Sequence, residues 1–185
     1  MWKNSTERYG SLQIALHWLM LVLIVAVYAA VLLHEAYPKG SDPRKLLMML
    51  HFSFGITVLA LIVVRIAARF SGPTPRIVPA PAAAADMVSR LMHLALYAFM
   101  IGMPIAGWLV FSAEGKAVPF FGIAELPQLI AENEDLAETI EDWHKDIGEF
   151  GYYLIGLHAI AALYHHYFVK DNTLARMLPA KRNAG

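Results

Sequence analysis

The stretch "WHKDIGEFGYYLIGLHAIAALYHH", from Trp143 to His166, is apolar over most of its length and yet carries four histidines. His144 and His158 are fourteen residues apart, which corresponds to about 21 Å of rise and nearly four whole turns of an α-helix. Their rings therefore project from almost the same face, and His165 lies on that face as well. Gly151 shares the face and removes bulk where something large must pack against the backbone. The stretch predicts a helix that turns a stripe of imidazoles toward a bundle interior.

The composition places this helix in a membrane protein. The chain has 185 residues, of which 58% are hydrophobic and 16% charged, too apolar for a typical soluble domain. Its apolar blocks are long enough to cross roughly 30 Å of hydrocarbon, where the backbone of such a block can be satisfied only as a helix. We therefore predict an all-α integral membrane four-helix bundle formed by a single domain, residues 1–185, with spans near 12–33, 46–68, 88–111 and 147–169.

The distribution of Lys and Arg predicts the orientation of the spans. The side that holds both termini carries ten of these residues and the other side five, so both termini are expected in the cytoplasm. The far, periplasmic side holds twelve of the fifteen acids. Many of them lie in the loop 112–146, where we expect a short amphipathic surface helix and then a polar helical lead-in to the fourth span from about Leu136.

The histidines form two groups when each is assigned a depth in its span. His51 and His144 lie near the periplasmic side, whereas His17 and His158 lie toward the cytoplasmic side. One imidazole from each of two helices at matching depth is how a bundle holds a haem iron by two axial ligands. The pairs His51/His144 and His17/His158 therefore predict two haems. Their irons would lie about 20 Å apart along the helix, which leaves the porphyrin edges near enough for electron tunnelling.

Other chemistries fit these residues less well. The chain has no cysteine, which excludes disulfides, Cys-ligated clusters and covalent haem attachment. A closed zinc site needs its ligands clustered at one point, whereas these histidines divide between two depths. His34 and His166 are expected to be interfacial, and His93 is either interfacial or adjacent to a haem propionate or a quinone. Arg65, Arg69 and Arg90 are candidates for neutralising the cytoplasmic propionates.

The segments "SLQIALHWLM", "MLHFSFGI" and "WHKDIGEFGYYLIGLHAIAALYHHYFVKDNTLARMLP" together resemble the bacterial cytochrome b-561 family of small dihaem proteins of the inner membrane. The resemblance covers essentially the whole chain. It implies two b-type haems with His17, His51, His144 and His158 as the axial ligands of the haem irons. It also implies a superoxide:ubiquinone oxidoreductase: periplasmic superoxide is oxidised to oxygen, and electrons pass through the two haems to ubiquinone, with His165 on the quinone side.

The chemistry of that reaction identifies further candidate residues. Superoxide is an anion, so cations near the periplasmic mouth would steer it inward. Quinone reduction needs protons, for which the imidazole of His165 is suited at neutral pH. The steering cations are Lys39, Arg44, Lys45, Lys116 and Lys145.

Two alternatives remain open at this point. The acidic outer face opposes superoxide and suits a basic periplasmic protein partner. One alternative is therefore a haem-bearing electron-transfer subunit or anchor for a separate dehydrogenase or hydrogenase. A haemless, histidine-lined transporter or proton pathway is the other alternative. The lipid bilayer and the membrane quinone pool are expected partners, and nucleic acid is not.

Overall fold

The computed structural model of the chain describes residues 2–179, so residues 1 and 180–185 of the predicted domain lie outside the described part. The described chain is mostly helical, as predicted. Its elements, in order, are α1 (Ser11–His34), α2 (Asp42–Phe70), α3 (Ala83–Ala113), β1 (Val118–Phe120), β2 (Ala124–Leu126), α4 (Glu134–Tyr164), a π-helical turn (His165–Val169) and a 3₁₀ turn (Ala175–Met177).

Three helices, α1, α2 and α3, are long and apolar enough to cross a membrane. Their apolar side chains are not confined to one face. On α1, for example, Val22, Val25 and Leu32 are 59–63% exposed. A helix that is apolar all round requires an apolar surrounding on every side, which lipid supplies. Helix α1 extends one residue beyond its predicted span at each end, and α2 and α3 extend two to five residues beyond theirs.

The acidic segment before the fourth span is helical, as the predicted lead-in from about Leu136 requires. It is part of α4, which runs without interruption from Glu134 to Tyr164. No Gly or Pro interrupts the chain between Glu134 and Ile147, so nothing ends the helix once it has started. It starts at Asn133, whose Oδ1 accepts a hydrogen bond from the backbone N–H of Leu136 at 3.0 Å, the geometry of an N-cap.

A short β-hairpin, which the sequence analysis did not predict, precedes α4. Strands β1 and β2 are antiparallel, with Val118 opposite Leu126, and the turn between them contains Phe121 and Gly122 at positive φ. The hairpin is tied to α2 by Ser53, which is completely buried. The Ser53 hydroxyl accepts a hydrogen bond from the Phe121 N–H at 2.8 Å and donates to the Met49 carbonyl at 2.7 Å.

The chain divides into two compact units, each of which contains a segment of all four long helices. The first unit comprises residues 1–19, 63–96 and 153–185, and the second comprises residues 20–62 and 97–152. Each unit contains one pair of the predicted haem ligands, His17 and His158 in the first and His51 and His144 in the second.

In the first unit, the segment after the π-turn is fixed to the proline-rich connector between α2 and α3. The side chain of Asn172 accepts a hydrogen bond from the N–H of Val78 at 2.9 Å and donates to the carbonyl of Arg76 at 3.2 Å. The buried guanidinium of Arg176 donates to the carbonyl of Pro75. These bonds hold residues 171–176 in one defined conformation.

Candidate functional site

The second unit brings together the histidine pair predicted for the periplasmic side. The ring centres of His51, on α2, and His144, on α4, lie 6.2 Å apart, and their planes are inclined by 76°. Nδ1 of His51 lies 3.1 Å from the carbonyl oxygen of Val27. Because a carbonyl can only accept, Nδ1 carries the hydrogen, and Nε2 of His51 keeps a free lone pair for a metal.

The ring of His144 packs against a glycine on α3. A Cβ atom placed on Gly107 would lie 3.3 Å from Cε1 and 3.8 Å from Nδ1 of His144, so the missing side chain provides the room for the ring. Nδ1 of His144 is buried and has no hydrogen-bond partner among the described residues. The backbone carbonyl of Met103 on α3 is the acceptor beside this ring, and donation from Nδ1 to it would leave Nε2 free for a metal, as in His51.

The spacing of this pair fits a single iron. An imidazole nitrogen binds a first-row transition metal at about 2 Å, so two imidazoles on opposite sides of one ion have ring centres roughly 6 Å apart. The observed 6.2 Å matches this spacing. No group of three or more histidine, aspartate or glutamate side chains that could hold a metal ion occurs in the described part of the chain. A pair of axial ligands to a haem is the metal chemistry that two isolated imidazoles can supply.

The first unit repeats the arrangement with the other predicted pair. The ring centres of His17, on α1, and His158, on α4, lie 6.3 Å apart, with planes inclined by 78°. A third ring, that of His93 on α3, lies 5.5 Å from His158. Nδ1 of His93 lies 2.6 Å from the carbonyl oxygen of Ser89, to which it donates. The spacing of His17 and His158 therefore fits one iron as well, with His93 beside it.

Arg65 contacts one member of this pair. Its Nη1 lies 3.0 Å from Nδ1 of His17, and since a guanidinium only donates, Nδ1 is the acceptor in this arrangement. An iron bound at Nε2 would place the hydrogen on Nδ1, so the contact with Arg65 would have to break. Arg65 would then need another acceptor, and a propionate of the haem is a group of the right charge.

The π-turn at the end of α4 holds His165 against an acid. Nδ1 of His165 lies 2.6 Å from Oδ2 of Asp171, whose side chain is only 1% exposed, whereas that of His165 is 27% exposed. Oδ1 of the same carboxylate accepts a hydrogen bond from the N–H of Thr173 at 2.8 Å. His165 is therefore a partly exposed imidazole backed by a buried carboxylate.

Comparison with known proteins identifies the family. The model of the prokaryotic cytochrome b561 family matches residues 8–180. The chain belongs to this family. It is 38% identical to a Yersinia pestis protein named Probable superoxide oxidase CybB, over 95% of this chain and 98% of that one. It is 36% identical to Cytochrome b561 homolog 1 of Escherichia coli (strain K12), over 95% of this chain and 99% of that one.

A third relative is the E. coli Cytochrome b561 homolog 2, which is 30% identical over 95% of this chain and 93% of its own length. The family consists of membrane helical bundles that bind b-type haem and transfer electrons. This protein is therefore a membrane-embedded, haem-binding oxidoreductase of electron transport. The histidine pairs described above are the candidate haem ligands of this b561 cytochrome.

Four of the five cations predicted to steer superoxide have a carboxylate within 4 Å. Arg44 lies 3.3 Å from Glu35, Lys45 3.6 Å from Asp42, Lys116 3.0 Å from Glu114 and Lys145 2.8 Å from Glu141. The hydrogen bond with Glu141 holds the pKa of Lys145 above its usual value, so this ammonium stays charged. Lys39 makes no ion pair within the described residues. The neighbouring acids offset most of the attraction that these cations would exert on an anion.

Arg44 has a structural role in addition to its charge. Its Nη1 donates to the backbone carbonyls of His34 and Tyr37 at 3.3 and 3.0 Å, closing the loop after α1. His34 is buried at the end of α1, where Nδ1 donates to the carbonyl of Val31 at 2.5 Å and Nε2 lies 3.2 Å from Glu35. His166, in contrast, is exposed. Arg90 pairs with Asp86 at 2.8 Å.

Gly151 and Asp171 show what sequence reasoning found and what it missed. A Cβ on Gly151 would collide with Tyr28 and Phe99, so the predicted close packing occurs, and aromatic side chains provide it. Asp171 and Gly107 were not predicted. The motif "HHYFVKDNT" contains an acid shortly after the paired histidines, which was the available indication for Asp171. Gly107 had none, because its contact lies on another helix.

Proposed function

We propose that this b561 cytochrome oxidises superoxide to oxygen and reduces ubiquinone, as a multi-pass protein of the bacterial inner membrane with both termini in the cytoplasm. The observation that carries the proposal is the presence of two separate imidazole pairs, with ring centres 6.2 and 6.3 Å apart, each suited to one haem iron. A haem held in this way supplies an iron that accepts and releases one electron at a time.

The reaction balances with superoxide as a one-electron donor. Two superoxide anions, one ubiquinone and two protons give two molecules of oxygen and one ubiquinol. No covalent bond to the protein forms, so the donor needs only access to the redox centre. The similarity to a protein named Probable superoxide oxidase supports this choice of donor.

Each histidine has a separate role in the proposal. His51 and His144 would hold one haem, on the periplasmic side, and His17 and His158 would hold the second, on the side of the quinone. When bound, these haems would supply the one-electron chemistry that links superoxide to the quinone. His165 delivers a proton to the quinone oxygen, since it is a partly exposed imidazole whose Nδ1 is already occupied by Asp171. Lys39, Arg44, Lys45, Lys116 and Lys145 supply the positive charge around the superoxide entrance.

The test uses purified protein with its haem content measured. Superoxide generated by xanthine oxidase should disappear at a rate that depends on added ubiquinone, and no hydrogen peroxide should form beyond the background. His165→Ala should retain both haems and slow ubiquinone reduction, while His166→Ala, the exposed neighbour, should behave as the wild type. Peroxide formed at half the rate of superoxide loss would show dismutation and would contradict the proposal.

A second candidate function is an electron-transfer subunit for a separate dehydrogenase or hydrogenase. The observation that favours it is the row of exposed acids on the first turns of α4, including Glu134, Glu138, Glu141 and Asp142, beside cations that are already paired. Such a surface suits a basic protein better than an anion. If this function is the correct one, the purified protein reacts slowly with superoxide, and gently solubilised membranes yield a stable complex with a redox enzyme.

A further inference from the structure

The geometry at the end of α4 brings together two residues that a regular helix would keep apart. His165 and Asp171 are six residues apart, which in an α-helix corresponds to about 9 Å of rise and a position on a different face. Here the helix widens into the π-turn His165–Val169, and Lys170 then adopts a left-handed conformation with φ 59°. The N–H of Asp171 returns to the carbonyl of His165 at 3.3 Å, so the chain folds back on the ring.

The carboxylate of Asp171 is buried and lies against Nδ1 of His165. Removing a carboxylate from water is costly unless hydrogen bonds replace the lost solvation. Asp171 receives such bonds from Nδ1 of His165 and from the N–H of Thr173. Burial raises the pKa of the Asp171 carboxyl, but the hydrogen bonds from His165 and from the backbone N–H of Thr173 outweigh it and hold this pKa below its usual range. The group therefore remains ionised at neutral pH.

The surroundings of Asp171 are rigid. The next residue, Asn172, is bonded to the proline-rich connector through both its side chain and its backbone N–H. Arg176, one turn later, is buried and bonded to the same connector. The carboxylate is thus held at a fixed position relative to the ring of His165 and cannot turn out to solvent.

We propose that Asp171 is the positioning residue for His165 in the reduction of the quinone. By accepting the hydrogen of Nδ1, it fixes the orientation of the ring and leaves Nε2 as the nitrogen that exchanges a proton with the quinone. The proposal rests on the proposed function, since it assigns to His165 the transfer of protons to a quinone.

The proton balance of the step is simple. The quinone gains two electrons from the redox centre, and its two oxygens gain two protons. Nε2–H of the His165 imidazolium breaks as an O–H bond of the quinol forms, and Nε2 is then reprotonated from water. Asp171 remains a carboxylate throughout and keeps Nδ1–H in place, so the same nitrogen serves in each transfer.

The experiment separates this step from the oxidation of superoxide. Holoprotein is reduced chemically with dithionite, and stopped-flow absorbance follows the reoxidation of haem b by a short-chain ubiquinone. We expect Asp171→Ala to lower the maximal rate about 10–100-fold with little change in the quinone concentration at half-maximal rate, as for loss of an orienting partner. Asp171→Asn keeps an acceptor for Nδ1–H but loses the charge, so its rate should lie between those of Asp171→Ala and the wild type.

A double substitution shows whether Asp171 affects the rate of quinone reduction through His165. If Asp171 acts only through His165, the variant Asp171→Ala/His165→Ala reoxidises no more slowly than His165→Ala alone. Glu7→Gln, which removes an exposed carboxylate of the same unit that makes no ion pair among the described residues, is the matched control and should react as the wild type. Haem content and the reduced-minus-oxidised spectrum should remain unchanged in all variants.

The proposal is overturned by a wild-type rate in Asp171→Ala, by additive losses in the double variant, or by loss of haem in both Asp171 variants, which would show a purely structural role. These outcomes differ from failure of the proposed donor. If superoxide does not reduce the protein while ubiquinone still reoxidises it through His165 and Asp171, the donor assignment is wrong and the role of Asp171 stands.

Discussion

At the scale of single residues, the room for the His144 ring depends on an absent side chain. Gly107 lies against Cε1 of this ring, and a Cβ there would already be in tight contact at 3.3 Å. Gly107→Val adds two further methyl groups toward the ring and should displace it from the axial position. We expect the haem-to-protein ratio to fall from about two toward about one, because a haem held by a single histidine in this pocket is lost readily.

The control for this substitution lies on the same helix. Gly102 has no atom within 4 Å of the position that a Cβ would take. Gly102→Val should therefore keep the full haem content, measured by pyridine haemochrome absorbance per polypeptide. Equal haem content in the two variants would mean that the Gly107 contact does not determine ligation.

The assignment of the ligand pairs gives a second prediction at this scale. His51→Ala and His144→Ala should remove the same haem, because each leaves an iron with one ligand, whereas His17→Ala and His158→Ala should remove the other. Redox titration of the haem that remains shows which one was lost. The two variants of one pair should keep a haem with the same midpoint potential, and the two variants of the other pair should keep the other haem. If His51→Ala and His17→Ala leave identical components, the pairing is incorrect.

The sequence predicted these histidine pairs because the helical repeat places His144 and His158 on one face and the spans assign a depth to each partner. The repeat holds only where the helix is regular. The helical repeat could not predict the contact of Asp171 with His165, because a π-turn brings these residues together. It also could not predict the contact of Gly107 with a ring on another helix. The helical repeat also could not predict the contact of Arg65 with His17, because that contact depends on side-chain rotamers.

At the scale of elements, the start of α4 depends on one side chain. The Oδ1 atom of Asn133 accepts the N–H of Leu136, satisfying one of the free donors of the first turn. Asn133→Ala should destabilise the protein by about 1 kcal/mol, whereas Asn133→Asp keeps an acceptor and should be nearly neutral. Thermal unfolding in detergent, followed by circular dichroism, should show a decrease of roughly 2–4 °C for the alanine variant. An equal decrease in both variants would indicate that capping is not the cause.

The same element shows the limits of prediction from patterns. The change from charged to apolar residues near Ile147 suggested a boundary between a surface helix and a span, but a change in polarity does not end a helix. The missing breaker explains why α4 is continuous. The hairpin was not predicted because its strands have only three residues each, one of them Pro119, and because its anchor is the hydroxyl of Ser53 on a distant helix.

At the scale of the whole molecule, the charge pattern affects the two candidate electron donors, superoxide and a basic protein, in opposite directions. The exposed acids of α4 repel superoxide and attract a basic protein, while the cations among them are largely paired. A unit charge about 10 Å from an anion contributes roughly 0.4 kcal/mol in water, which is about a two-fold change in the local concentration of that anion. Several acids together can therefore alter the encounter rate by an order of magnitude at low salt.

Removing three of these negative charges tests whether the acids of α4 slow the approach of superoxide. In the variant Glu138→Gln/Glu141→Gln/Asp142→Asn, the exposed face of α4 loses its excess of negative charge and Lys145 loses its partner Glu141. If superoxide is the donor, its oxidation should become about five- to ten-fold faster at low ionic strength, and the gain should shrink as salt screens the charges beyond roughly 10 Å. The measurement is the rate of superoxide-driven haem reduction between about 10 and 300 mM salt, with dithionite-driven reduction as the control. If the rate of superoxide-driven haem reduction changes with neither the substitutions nor the salt concentration, this face is not the entrance for superoxide. If the same variant binds a basic redox partner more weakly, the acids serve in protein docking instead.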